Sequence, residues 1–572
     1  MQRKCLVNGL SDAVSESIEG ALMGNPLLAR LGNHNIVLRA DIAEERQKHV
    51  TIIGGGGSGH EPSYVGFIGE GMISAGVCGN IFASPSVSAI LTAIRTCAGP
   101  HGVLLIIKNY TGDRLNFGVA LEKARQENIN VQMVVVADDV ALETEKGITG
   151  GRGLAGTLFI HKLAGALAKQ GKCLEEIYNY ILPISKSLYT MGVALTSCNI
   201  PGCVKNTRLD DPNTIEVGLG IHGEGGREQV QLPDTRTNAD FVGAILVDNI
   251  MKRYEVSKES NINEVIIMLN NLGAVPPIEL TIVLRKVITY LKVRYNKDTV
   301  RVFAGPYMTS LDMAGVSLTV LPVCAGNIKE LIDETTLATA WVRSPEVSTI
   351  SYNRIEECDS VEIAQIKGGI KCPDAARIAV AIAKEIILAE NKLSEYDRIC
   401  GDGDCGMVMK AGAERVLSVL QSSTDTLLVD DSSYFCNTIA NAISDSMGGT
   451  SGILLEIFFR RMALYFSHPS NRLWADALLD GLDGIKHYGG AQVGMRTMLD
   501  ALEPAIMQFK KTGDIELSTA AAVAGAESTK RLVALAGRAN YVSASEMEGT
   551  PDPGAVAAAI AFQTVMNNIK NV

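Results

Sequence analysis

The pattern of apolar residues changes character once along this chain, near residue 335, and that change limits the fold more than any other feature. Before it, short unbroken apolar runs alternate with amphipathic stretches. His49–Ile53, Val103–Ile107 and Val131–Val136 read as strands, with a helix near Asn116–Glu127 between the last two. Such a βαβ order with continuous apolar runs predicts parallel strands covered on both faces. After Gly202 the pattern restarts. Glu264–Leu269 and Val300–Ala304 read as strands flanking a helix near Pro277–Leu291, with Val316–Leu321 a further strand. The expectation is two α/β subdomains, residues 1–190 and 191–335.

Residues 336–371 lose all periodicity, and SPEVSTISYNR and KGGIKCP carry turn residues, as a linker would. Beyond them only helical spacing remains. Pro373 and Asp374 suit a helix start, and Ile378, Ile382 and Ile386 repeat at i, i+4, i+8. Residues 372–572 are therefore expected to be all-helical. The fold class is a multidomain chain, α/β in front and all-α behind.

A chain of 572 residues needs several cores. Its formal net charge of −11 argues against nucleic acid as a partner, since a phosphate backbone calls for a basic surface. Twelve cysteines without a C-x-x-C pair read as reduced thiols, hence a cytosolic protein. No apolar run approaches the ~20 residues that span a bilayer, so no membrane partner is expected. The N-terminal stretch MQRKCLVNGLSDAV lacks the apolar core of a secretory signal.

Chemistry-bearing residues gather in a few glycine-rich segments. Gly54, Gly56 and Gly59 satisfy G-x-G-x-x-G after a strand, but no acidic residue lies between Gly71 and Gly112 to hold a ribose. A P-loop is excluded because no G-K-[ST] follows. A tight strand-to-helix turn is the bland alternative. GGGGSGHEP, however, places Ser58, His60 and Glu61 beside bare backbone. IIKNYTGDRLNF sets Lys108 and Asp113 just past a strand end, where open α/β sheets bind ligands. GLGIHGEGG holds His222 between glycines, with Glu224 nearby. Neutral imidazole is a nucleophile, and attack on a carbonyl would select a carbonyl compound over its alcohol.

The helical half carries YDRICGDGDCG. Asp397, Asp402 and Asp404 would repel one another without a cation, and hard oxygen donors suit Mg²⁺ completed by nucleotide phosphates. DSMGGTSG offers Thr450 and Ser451 before an apolar helix, where anions are favoured. GGAQVGMRTMLDAL contains Gly489, Arg496, Thr497 and Met498, and Asp552-Pro553-Gly554 opens the last helix. Taken singly, each of these segments is as well explained as a helix cap.

These motifs together resemble the dihydroxyacetone kinase family over nearly the whole chain, the linker aside. In that family the segment here numbered Gly57, Ser58, Gly59 and His60 lines the triose pocket, with Lys108 and Asp113 as substrate contacts. The resemblance implies a covalent hemiaminal on His222, with His60 and Asp113 assisting proton transfer at the hydroxyl being phosphorylated. It implies Mg²⁺ on Asp397, Asp402 and Asp404 inside a helical barrel. Nucleotide contacts then fall on Asp402, Gly403, Asp404, Cys405, Thr450, Ser451, Gly489, Thr497, Met498, Asp552, Pro553 and Gly554. Arg538 is a further candidate for countering phosphate charge.

A chain with both halves fused resembles the ATP-using branch, and the animal type most of all. That type phosphorylates dihydroxyacetone and D-glyceraldehyde and cleaves FAD to AMP and cyclic FMN, for which Mn²⁺ or another divalent ion is an option. Homodimers are the family's assembly. Two rivals stand beside this reading: FAD cleavage alone, or a triose-binding regulator without catalysis.

Overall fold

The computed structural model describes residues 4–142, 150–233, 238–347, 355, 369–422, 427–468, 470 and 473–569. The chain divides into two compact units, Met1–Arg354 and Ile355–Val572.

The first unit is built on two six-stranded sheets. The first holds β1 (Leu28–Arg30), β2 (Ile36–Arg39), β3 (Thr51–Ser58), β4 (Ala75–Ile81), β5 (Val103–Lys108) and β6 (Val131–Val136) in the order β1-β2-β4-β3-β5-β6. The pairs β3–β4, β3–β5 and β5–β6 are parallel, and β1 and β2 add antiparallel. All six residues of β5, VLLIIK, are buried, as a strand covered on both faces requires. Because β4 and β5 lie on opposite sides of β3, the strand order reverses there. A crevice opens at such a point beyond the strands' carboxyl ends.

The second sheet, ordered β11-β10-β12-β7-β8-β9, comprises β7 (Tyr189–Ala194), β8 (Thr214–Val217), β9 (Glu228–Gln231), β10 (Glu264–Asn271), β11 (Asp298–Gly305) and β12 (Gly315–Pro322). Only β10–β11 is parallel, joined through the helix Pro277–Tyr295. One apolar core takes in side chains from both sheets, among them Ile106, Met268 and Leu321.

Two expectations from the sequence need correction. The strand read as ending at Ile53 does not stop there: β3 continues through Gly54–Gly57 to Ser58, which also removes the alternative of a tight turn at these glycines. Its glycines admit close neighbours, since a Cβ at Gly55 would meet Phe117 Cζ and the Val77 carbonyl at 2.7 Å. Nor are residues 336–347 a free linker. Leu337 and Ala340 donate backbone hydrogen bonds to the Glu70 and Gly66 carbonyls, and the Trp341 ring lies 4.7 Å from that of Phe303. A strap held by backbone bonds needs no apolar period, which is why it reads as linker. Residues 348–354 and 356–368 lie outside the described residues.

In the second unit the described residues form helices without a strand. Eight of them pack in a closed ring: Ala375–Leu388, Cys405–Ser422, Ser432–Ser446, Gly449–Ser467, Trp474–Gly489, Leu499–Thr512, Ile515–Ser528 and Pro553–Ile569, which returns to the first. Ala383 and Ile386 of the first helix are buried in its core. Glu390–Cys400 packs beside the ring, against Cys405–Ser422 and Pro553–Ile569.

Candidate active site

At the end of β3 the chain turns through Gly59 into His60, which is wholly buried. His60 Nδ1 lies 2.8 Å from the Thr309 carbonyl oxygen. A carbonyl only accepts, so Nδ1 carries the proton and Nε2 keeps its lone pair. That Nε2 faces His222 Nε2 at 3.0 Å. Burial, then the charges of Lys108 and His222, hold the His60 pKa well below 6.5, so the ring stays neutral at physiological pH. Phe82 stacks on His60 at 5.2 Å between centroids, and Tyr110 meets the His222 ring edge-on at 4.7 Å.

The loop from Gly218 to Gly226 presents His222. Glu224 turns back on it, accepting from the His222 backbone N–H at 2.8 Å and facing Nδ1 at 3.3 Å. Burial pushes Glu224 up, but the hydrogen bond and charge of His222 outweigh it and bring the carboxyl to about 2. The loop is held from outside. Arg152 donates to the Gly218 carbonyl at 2.6 Å and pairs with Asp139 at 2.6 Å, and Ser310 Oγ donates to the Ile221 carbonyl.

From the adjacent strand, Lys108 ends β5 with 1% exposure, and Asp113 lies in the first turn of the helix Thr111–Gln126. Asp113 accepts from Ser84 Oγ. Burial raises its pKa, while Lys108 and Ser84 lower it in part. Burial depresses the Lys108 pKa, with Asp113 and Glu224 opposing. Gly57, Ser58, Gly59, His60, Lys108 and Asp113 thus stand at or just past the carboxyl ends of β3 and β5, and His222 is brought against His60 there. Arg152, Thr309, Ser310 and Tyr64 are additions that the sequence did not supply. The glycine-rich GGRG around Arg152 is a signal that could have found one of them.

In the helical unit, carboxylate oxygens of Asp397, Asp402 and Asp404 all lie within 4.8 Å of one another. Gly403 has φ +80°, a conformation L side chains rarely adopt, and it folds the loop so that the acids converge. Asp397 lies in the last turn of the preceding helix, Glu390–Cys400, and accepts from the Cys405 backbone N–H at 3.0 Å. The oxygen-only donor set fits Mg²⁺. Burial, with Asp397, Asp552 and Asp404 adding, pushes the Cys405 thiol up to about 12, so it offers no thiolate.

Asp552 lies within electrostatic reach of Asp397, Asp500 and Arg496. Burial lifts its pKa to about 6. Pro553 begins the last helix, and a Cβ at Gly554 would lie 3.3 Å from Met498 Cβ. Thr497 N–H donates to Asp500 at 2.7 Å. Arg496 is buried rather than displayed to solvent, donating to the Thr529 and Thr550 carbonyls. A second group gathers where exposed Thr450 and half-buried Ser451 open the helix Gly449–Ser467. Gly489, ending its own helix, would set a Cβ 3.3 Å from Leu454 of that helix. The side chain of Arg538 lies outside the described residues.

Comparison with known proteins assigns a domain family to most of each unit. Residues 19–340 match the Dak1 domain and residues 399–567 the DAK2 domain. The chain belongs to the dihydroxyacetone kinase family. It is 39% identical to a putative 3,4-dihydroxy-2-butanone kinase of Solanum lycopersicum, over 100% of this chain and 98% of that one. It is 37% identical to the triokinase/FMN cyclase of Mus musculus, over 99% of each. The dihydroxyacetone kinase of C. freundii, solved with AMP-PNP and Mg²⁺, superposes with a TM-score of 0.70 at 33% identity, covering 99% of both chains. In this family member, no helix among the described residues is long and apolar enough to cross a membrane.

Proposed function

We propose that this protein transfers the γ-phosphoryl group of ATP to dihydroxyacetone and D-glyceraldehyde, after His222 has captured the triose carbonyl. The observation that carries the reading is the pair of facing imidazole Nε2 atoms, 3.0 Å apart, within electrostatic reach of the buried Lys108 and Asp113. The His60 tautomer makes His222 Nε2 the donor in that pair, so His60 Nε2 is placed to take its proton. The freed His222 lone pair then adds to the carbonyl carbon. The C=O π electrons move to oxygen, which takes the proton from His60 and closes the hemiaminal; Nδ1 keeps its proton, and the positive charge of the substituted ring is paired with the Glu224 carboxylate. A small polyol has little apolar surface, so covalent capture fixes what hydrogen bonds would hold loosely. Lys108 neutralises charge beside the bound triose, and Asp113 accepts the proton of its terminal hydroxyl.

Asp397, Asp402 and Asp404 are the residues that would hold Mg²⁺, and the family nucleotide contacts fall on Gly403, Cys405, Thr450, Ser451, Gly489, Thr497, Met498, Asp552, Pro553 and Gly554. When bound, the divalent ion supplies charge neutralisation for the phosphates. The rim of backbone N–H groups at the helix starting with Gly449 adds an anion-binding end. FAD cleavage to AMP and cyclic FMN is a second activity of the same unit, supported by the kinship with triokinase/FMN cyclases, with Mn²⁺ as an alternative ion. A homodimer in the cytosol completes the proposal. The free thiols of all described cysteines support that compartment.

The test is ATP consumption by the pure protein with dihydroxyacetone, D-glyceraldehyde or glycerol, and cyclic FMN formation from FAD, each with Mg²⁺ and Mn²⁺. Both trioses are expected to turn over and glycerol is not. Equal turnover of glycerol would remove the carbonyl-capture step. Triose binding without any ATP consumption would favour the regulator.

A further inference from the structure

Beside Gly56 stands a hydroxyl that folding leaves without a partner. Tyr64 is 1% exposed, and its Oη makes no hydrogen bond within the protein. Buried polar groups are nearly always paired, so an orphan of this kind calls for an explanation. Its surroundings indicate one. A Cβ on Gly56 would lie 2.9 Å from Tyr64 Oη and 3.3 Å from Asp113 Oδ2, so the two oxygens flank the same bare glycine. Asp113 Oδ1 is already engaged by Ser84, and Oδ2 is the oxygen turned this way. Lys108 Nζ lies 5.5 Å from the centre of the Tyr64 ring. Burial, then the Asp113 charge, raises the phenol pKa well above 10, so the group remains an O–H donor.

We infer that the Tyr64 hydroxyl is a substrate ligand: it donates a hydrogen bond to the terminal hydroxyl oxygen of the bound triose whose proton Asp113 accepts. The inference rests on the assignment of Lys108, Asp113 and His222 to the triose made above. An alcohol oxygen has one proton and two lone pairs. With the proton on Asp113 and one lone pair receiving Tyr64, the remaining lone pair has a fixed direction toward phosphorus. Phosphoryl transfer passes through a loose transition state, so direction counts for more there than nucleophilic strength. The pairing also sets specificity. A compound lacking a CH₂OH at that end would leave Tyr64 and Asp113 both unpaired, the strongest form of rejection a polar pocket has.

The experiment uses the full chain with Tyr64→Phe, assayed on dihydroxyacetone and on hydroxyacetone, which keeps only one terminal hydroxyl. Tyr64→Phe removes an oxygen that no protein group bonds. The expected result is a loss of about 10- to 100-fold in kcat/KM with both substrates, at an unchanged or higher Tm. Combined with Asp113→Asn, the loss should fall short of the product of the single losses, because both groups serve one oxygen. Unchanged kcat/KM overturns the proposal, and so does a loss confined to dihydroxyacetone, which would place Tyr64 on the other hydroxyl. A lowered Tm with full activity overturns it in favour of a structural water on Tyr64. Unaltered Tyr64→Phe beside a crippled Asp113→Asn strikes the tyrosine alone. An unaltered Asp113→Asn strikes the site assignment beneath it.

Discussion

The two sites of this chain solve opposite problems. In the α/β unit the groups proposed to face the triose are sealed: His60, Lys108 and Asp113 are 0%, 1% and 3% exposed, each bonded to or packed against fixed neighbours. In the helical unit Asp402, Asp404, Thr450 and Gly489 are open to solvent. A triose has few atoms, so discrimination and rate both depend on enclosure and fixed geometry. A nucleotide brings its own charge and its own metal. Three clustered carboxylates buried without a cation would destabilise the fold, so that site belongs at a rim. Burial marks the site that must select, and exposure marks the site that must load.

The largest expected effect comes from His222→Ala. Losing covalent capture should lower kcat for dihydroxyacetone by about 10³-fold or more, with the KM for MgATP little changed. Steady-state kinetics with each substrate varied in turn would check it, and wild-type turnover would sink the covalent step. Asp404→Asn makes the complementary change at the open site. A loss of about 10²-fold is expected, relieved in part by raised Mg²⁺, with triose binding intact. If instead the triose KM rose and the metal dependence did not, the contrast between a selecting site and a loading site would break.

How much of this was legible differs between the two sites for the same reason. Asp397, Asp402 and Asp404 stand within eight residues, so local spacing alone brings their oxygens together. Lys108 and Asp113 were legible because a continuous apolar strand delivers them to its own end. The bond from His60 to Thr309 spans 249 residues, and that from Arg152 to Gly218 spans 66. No local pattern encodes such tertiary partners. Short edge strands were equally silent: β9, Glu228–Gln231, reads EQVQ and is almost wholly exposed. Tyr64 and Arg152 were missed because an isolated polar residue announces nothing until its burial is known.

Arg152→Met probes how far the sealed site depends on that hidden layer. Arg152 and Asp139 form a buried ion pair at 2.6 Å, and Arg152 also ties the His222 loop through the Gly218 carbonyl. Removing the guanidinium strands a buried carboxylate, which should cost the α/β unit about 3 kcal/mol. It should also lower kcat for the triose by about 10-fold by loosening the His222 loop. Arg152→Lys keeps the charge but not the fork that reaches Asp139 and Gly218 together, so it should regain stability before activity. Chemical denaturation alongside triose kinetics reads both. Equal recovery of the two in Arg152→Lys would show that charge alone holds the loop.

The last effect, graded with pH, distinguishes the two units by acid. His161 is fully buried, and burial lowers its pKa from 6.5 to about 4, partly offset by the Ile106 carbonyl. Between those values the unfolded chain takes up a proton that the folded α/β unit refuses. Its contribution is therefore intact above about pH 6.5 and lost as pH falls toward 4, by up to about 3 kcal/mol. His60, lowered by the same cause, acts in the same direction. In the helical unit Asp552 has the opposite sign. Its folded pKa of about 6 exceeds the ordinary 3.8, so the folded state binds the extra proton and gains stability as pH falls from 6 toward 4. Amide exchange on the intact chain at pH 6.5 and pH 4.5 should show protection falling in the α/β core while this term acts to support the helices around Asp552. His161→Gln should flatten the first slope and leave the second. If the α/β slope survives the substitution undiminished, the buried imidazole is not its source, and the sealed crevice is less sensitive to acid than its histidines imply.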